Sequence, residues 1–126
     1  MATVLVVEDD PDLRYLYAVA LTRAGHTVTI APETIPALLQ LTNHTIDVIV
    51  LDVGLPDLPG TRLLEFMRGD PRLTTIPVVV LSADQSLQER ALSLGAARFV
   101  TKPVRLKTLA TMICDLVNSS PSGEQA

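Results

Sequence analysis

The 126-residue chain contains no tryptophan, one cysteine, two tyrosines and two phenylalanines. With aromatics at 3%, its core must be aliphatic, built from Leu, Val, Ile and Ala. The single cysteine, Cys114, has no partner within the chain for a disulfide, and no Cys/His spacing suits zinc. Continuous Val/Ile/Leu runs such as Val48–Leu51 and Val78–Leu81 are far too short to cross a bilayer. Cationic excess is absent as well: 10 Lys and Arg stand against 14 Asp and Glu, a net charge of −4. That balance argues against direct nucleic-acid binding, or binding to an anionic membrane, through bulk charge. The start runs straight from Met1 into a strand-like segment, which leaves no room for a signal peptide. What is abundant is apolar residues, at 48% with only 19% charged, enough for one filled core. The expectation is a soluble, cytoplasmic, single-domain protein.

Five short aliphatic runs alternate with helix-period stretches. The strands are expected at Val4–Val7, Thr27–Ala31, Val48–Leu51, Val78–Leu81 and Arg98–Thr101. Being continuous rather than alternating, they predict burial on both faces, as in a parallel sheet covered by helices. The first helix is expected from Pro11 to Ala24, with Leu13, Leu16, Tyr17, Ala20, Leu21 and Ala24 forming a core stripe. Asp10 suits its N-cap, Pro11 its first turn, and Gly25 a left-handed end. Further helices are expected at about Glu33–Thr42, Thr61–Arg68, Gln85–Leu94 and Lys107–Val117. His26 and His44, in polar turn contexts, read as solvated surface residues. Cys114 reads as a small packing residue, and Met67 and Met112 as core filler. Strict β/α alternation with right-handed crossovers gives a doubly wound α/β sandwich, whose ligand site lies outside the carboxyl ends of the strands.

Those ends carry chemistry. Glu8-Asp9-Asp10 follows the first strand, Asp52 the third, Ser82 the fourth and Lys102 the fifth. Lys102 is one of only two lysines beside eight arginines, which fits a need for a compact point charge. If the first and third strands are neighbours, Asp9 and Asp52 approach closely. Two carboxylates about 4 Å apart repel by roughly 4 kcal/mol at an effective dielectric near 20. A hard divalent cation joins such a cluster, and oxygen ligands suit Mg2+ or Mn2+. Beside a hydroxyl and an ammonium, that arrangement accommodates a phosphoryl group, with Asp52 as the attacking nucleophile. Taken singly, Asp52 could be a turn former, Ser82 a helix cap and Lys102 a loop lysine. Their convergence on one edge of one sheet favours the chemical reading.

From Val4 to about Val117 the chain closely resembles the receiver domain of two-component response regulators. The resemblance rests on Val7-Glu8-Asp9-Asp10-Pro11 with Arg14, Leu51-Asp52 with Leu55-Pro56 and Gly60, and Pro77-Val78 into Leu81-Ser82-Ala83. It continues through Gly95-Ala96, Phe99 and Lys102-Pro103. It implies a flavodoxin-like fold, a five-stranded parallel sheet in order 2-1-3-4-5 with five helices. Residues 1–118 would form the receiver and 119–126 a flexible tail or linker start. It further implies that Asp52 accepts a phosphoryl group from a phosphohistidine of a sensor histidine kinase or histidine phosphotransfer protein. Mg2+, or Mn2+, would be held by Asp9, by Glu8 through water, by Asp52 and by the Gly54 carbonyl. Ser82 and Lys102 would contact phosphoryl oxygens. Phe99 matches the aromatic switch position, which would report to a downstream effector through the face formed by the fourth helix, fifth strand and fifth helix. Such a domain is no ordinary enzyme, although it catalyses its own phosphorylation and autodephosphorylation. The Lys102-Pro103 bond is commonly cis in that family.

Four positions depart from the pattern. Gly54 stands where many relatives carry a polar side chain, Val104 replaces a frequent aromatic, and Ala96-Ala97 replaces the acidic pattern of the winged-helix transcription-factor subfamily. An aspartyl phosphatase of the haloacid dehalogenase type needs a second Asp at the Gly54 position, and glycine cannot transfer a proton. No serine-hydrolase elbow or P-loop is present. A pseudo-receiver, a pure interaction module, usually loses the residues this chain keeps. On the first helix, Tyr15, Ala18, Val19 and Thr22 form a second, mildly apolar stripe, suited to docking kinase or phosphotransfer helices.

Overall fold

The structure is a computed structural model and describes residues 2–118. The expected tail, 119–126, lies outside the described residues. Five strands, β1 (Thr3–Val7), β2 (Thr27–Ala31), β3 (Val48–Asp52), β4 (Val78–Ser82) and β5 (Arg98–Thr101), form one parallel sheet. Their order is β2-β1-β3-β4-β5. The helices are α1 (Pro11–Arg23), α2 (Thr34–Asn43), α3 (Thr61–Arg68), α4 (Gln88–Ser93) and α5 (Leu106–Asn118).

The alternation of strand side chains divides the core in two. Leu5, Val7, Ile49, Leu51, Val78 and Val80 point to the side covered by α2, α3 and α4, where Ala37, Leu41, Leu63, Met67 and Ala91 meet them. Val4, Val6, Val48, Val50, Val79 and Leu81 point the other way, onto Tyr17 and Leu21 of α1 and Leu109 and Ile113 of α5. Each fully buried Val or Leu stabilises the fold by about 1.5–3 kcal/mol relative to exposure. This is why the three central strands are unbroken aliphatic runs.

Burial on both faces holds for β1, β3 and β4 but not for β2 and β5, where Thr27, Ile30, Arg98 and Thr101 are exposed. These are the two edge strands, and the helices cover only their inner flanks. The α1 stripe is likewise narrower than its pattern. Tyr17 and Leu21 are buried, whereas Leu16 is 44% exposed and Ala24 lies past the helix end. At 3.6 residues per turn Leu16 sits about 100° round the helix from Tyr17, at the margin of the contact. Asp10 accepts from the amides of Asp12 and Leu13, and Gly25, at φ +100°, turns the chain into β2. The expected fourth helix begins as a 3-10 turn at Gln85–Leu87, set by the Asp84 carboxylate accepting from the Ser86 amide and hydroxyl.

His26 corrects its expectation. It is buried, its Nε2 lies 3.6 Å from Cys114 Sγ on α5, and its Nδ1 has no hydrogen-bond partner. Burial pushes its pKa below the ordinary histidine value. The turn after α1 folds back beneath α5, a tertiary contact that the polar local sequence does not show. His44 is exposed and Met67 buried, as expected.

Candidate functional site

Register places the site. Val7 lies opposite Leu51, so the residues that follow, Glu8 and Asp52, leave the sheet side by side. Asp52 lies opposite Leu81, and Ser82 opposite Thr101, which brings Lys102 to the same edge. The Lys102 amide donates to the Ser82 carbonyl at 2.9 Å, and the Lys102-Pro103 bond is cis. Glu8, Asp52 and Ser82 are all buried, while Asp9 is exposed at the rim.

Three carboxylates and one ammonium form the centre. Glu8, Asp9 and Asp52 each offer an oxygen within 4.8 Å of the others. Lys102 Nζ donates to Glu8 Oε1 at 2.9 Å and lies 3.4 Å from Asp52 Oδ2. Burial raises the Glu8 pKa to about 7; the Lys102 hydrogen bond opposes the rise and the Asp52 carboxylate adds to it. Burial works against the charged Lys102, but the Glu8 hydrogen bond and the Asp52 and Glu8 charges outweigh it, and its pKa lies above the ordinary value. One ammonium thus faces three carboxylates, and the oxygen-rich donor set fits a hard divalent cation.

The supporting groups are local. The Gly54 amide donates to Asp52 Oδ1 at 3.1 Å, fixing the carboxylate rotamer. A Cβ on Gly60 would stand 2.7 Å from Val53 Cα and 2.8 Å from the Asp52 carbonyl, so only glycine lets the loop after β3 close over its strand end. Ser82 Oγ accepts from the Asp84 amide at 3.0 Å, leaving the hydroxyl at the edge of the site. Phe99 is half-buried and packs against the α2/α3/α4 side of the core. Tyr15 is 68% exposed and Thr22 exposed, with Ala18 and Val19 half-buried; all four lie away from Tyr17 around α1.

Two contributors were not anticipated. Arg14 Nη1 donates to the Glu8 carbonyl at 3.0 Å and to the Asp9 carbonyl at 3.4 Å, so α1 holds the acidic loop from beneath. Asp57, in the loop after Asp52, caps a distant helix. Its carboxylate accepts from the α2 amides of Thr34 at 2.9 Å and Ile35 at 2.8 Å, and the Thr34 hydroxyl donates to the Leu58 carbonyl. Arg14 belonged to the recognised motif without a role. Asp57 left no local signal, since its partners lie 22 and 23 residues earlier.

Residues 4–114 match the family profile described as the response regulator receiver domain. The chain is 41% identical over 105 residues to the transcriptional regulatory protein KdpE of Mycobacterium tuberculosis, covering 82% of this chain and 45% of that protein. It is 38% identical over 106 residues to the transcriptional regulatory protein PhoP of Escherichia coli, covering 82% and 47%. It therefore spans about half the length of these curated relatives. Among solved structures, the receiver domain of Francisella response regulator 1452 superposes with a TM-score of 0.87 at 28% identity, covering 94% of this chain and 98% of that one. The chemotaxis response regulator CheY4 of Vibrio cholerae gives 0.86 at 26% identity, covering 92% and 98%.

Proposed function

This chain belongs to the response regulator receiver domain family, and from that membership we propose that Asp52 is its phospho-acceptor. The observation that carries the reading is the convergence of Glu8, Asp9, Asp52 and Lys102 at one sheet edge, with Lys102 Nζ within 3.4 Å of the Asp52 carboxylate. An Asp52 oxygen attacks the phosphorus of a phosphohistidine. The P–N bond breaks, the imidazole leaves with its electron pair, and an acyl phosphate remains. Lys102 balances charge on the phosphoryl oxygens, and Ser82 Oγ donates to one of them in this reading. Asp9, Asp52, the Gly54 carbonyl, and Glu8 through water would hold Mg2+, with Mn2+ as an alternative. When bound, the cation would supply Lewis-acid neutralisation of the transferring group. With glycine at position 54 no side chain there shields the acyl phosphate, and the same residues serve its autodephosphorylation.

Residues 1–118 form the receiver unit in this reading. The phosphodonor is a sensor histidine kinase or a histidine phosphotransfer protein, docked on Tyr15, Ala18, Val19 and Thr22. Output passes from Ser82 and Phe99 to a downstream effector through α4, β5 and α5. Neither nucleic-acid nor membrane binding is assigned to the domain, and the cytoplasm is its compartment. Among the described residues no helix is long and apolar enough to cross a membrane.

Intact-mass analysis tests the assignment. A small phosphodonor with Mg2+ is expected to add one phosphoryl group to the wild type and none to Asp52→Asn. Full-yield modification of Asp52→Asn would overturn it. Asp9→Ala is expected to weaken Mg2+ binding, read by titration.

A further inference from the structure

A second chemically capable pair stands at the opposite end of the sheet from the acidic cluster. His26 closes the turn between α1 and β2, and so sits at the amino end of the parallel strands. Its amide donates to the Leu21 carbonyl at 3.2 Å, and the Thr27 amide donates to the Ala2 carbonyl at 2.9 Å, which fixes the turn on both sides. From there the ring reaches α5, 88 residues further along the chain. Nε2 lies 3.6 Å from the sulfur of Cys114, the chain's single, half-buried cysteine. The imidazole is 7% exposed and its Nδ1 has no hydrogen-bond partner. A ring serving packing alone strands that nitrogen without return, so a buried polar group here calls for a chemical role. Its one side-chain hydrogen bond among the described residues is directed at the thiol.

We propose that Cys114 is a thiol modification site, in which His26 Nε2 takes the thiol proton and the sulfur attacks a small-molecule disulfide. The Cys114 S–H bond breaks and a new S–S bond forms to the nearer sulfur. The disulfide's own S–S bond breaks, and its departing thiolate takes the proton from Nε2. The disulfide is the oxidant, and one small thiol is released for each adduct. In the tautomer with its hydrogen on Nδ1, the Nε2 lone pair faces Sγ. Burial pushes the His26 pKa below the ordinary histidine value, so at neutral pH the ring is uncharged and able to accept. Cys114 lies in the last turns of α5, where the helix dipole works against a thiolate, so activation falls to the imidazole. A metal ion is a poor occupant, because among the described residues the pair belongs to no three-ligand cluster.

The test uses the whole chain and dipyridyl disulfide, read by the release of thiopyridone; with one cysteine the signal has a single source. At neutral pH the folded wild type is expected to react faster than the same chain unfolded in urea, where no imidazole faces the thiol. Intact mass is expected to show one adduct, absent from Cys114→Ser. His26→Ala is expected to react about tenfold more slowly than wild type with an unchanged circular dichroism spectrum, although the smaller side chain widens access to the sulfur. A folded wild type slower than the unfolded chain would overturn the proposal, as would a folded His26→Ala chain that reacts as fast as wild type or faster. If His26→Ala does not fold, the comparison of folded with unfolded wild type decides alone.

Discussion

Ser82 holds its hydroxyl against the Asp84 amide, 3.0 Å away, at the end of a strand whose side chains are otherwise apolar. In the proposed function, a phosphoryl group on Asp52 would compete for that hydroxyl. Drawing it inward would empty space beside β4, and we propose that Phe99, half-buried on the adjacent β5, takes it. A shift from 1:99 to 99:1 needs roughly 5.5 kcal/mol of differential stabilisation. Charge-assisted contacts from Ser82 and Lys102 to the phosphoryl group, at about 1.5–3 kcal/mol each, would supply most of it. Phenylalanine carries no hydroxyl, so neither ring position strands a polar group, and packing alone sets the bias. Ser82→Ala is therefore expected to remain phosphorylatable while the Phe99 aromatic NMR signals lose their response to a phosphoryl mimic. An equal response in both proteins would show that output bypasses this pair.

At the scale of elements, two helices are tied to the site in different ways. Helix α1 carries Arg14 into the acidic loop on one side and presents Tyr15, Ala18, Val19 and Thr22 on the other. Val19→Glu is expected to slow phosphotransfer from the cognate kinase about tenfold, while modification by a small phosphodonor stays unchanged. Equal rates from the kinase would remove this docking face. Helix α2 depends on Asp57 for its first turn. Burial disfavours the charged carboxylate, but amide hydrogen bonds from Ile35, Thr34 and Leu58 outweigh it and hold its pKa below the ordinary 3.8. Because the folded pKa is the lower one, the stabilisation is complete above 3.8 and fades as pH falls through the folded value. Asp57→Ala is expected to cost about 0.5–2 kcal/mol near neutrality, the usual loss for an N-cap, and thermal unfolding should show the gap to wild type closing in acid. The loop after Asp52 and the start of α2 are thus one mechanical unit, although 22 residues separate Ile35 from Asp57.

Across the whole molecule, legibility followed the range of the forces. The strands were readable because both-sided burial demands unbroken aliphatic runs, and the site was readable because parallel strands bring their ends to one edge. Edge openness at Ile30 and Arg98, the burial of His26 under α5, and the capping of α2 by Asp57 were not readable. Each depends on a neighbour far away in sequence, and the local residues fit an exposed turn or strand equally well. The margin position of Leu16 shows the same limit within one helix, where spacing fixes an angle but not how far the partner surface reaches.

The Lys102–Glu8 contact joins residues 94 positions apart and so imposes an order in time. A ribosome adds roughly 5–20 residues each second, so the acidic residues that follow β1 precede their lysine by about 5–19 s. During that interval Glu8, Asp9 and, later, Asp52 exist in a growing chain that has not yet made its own counter-ion. The nascent chain cannot bring this ammonium to its three carboxylates before β5 has been made, so the candidate site is assembled only after all five strands of the sheet have left the ribosome.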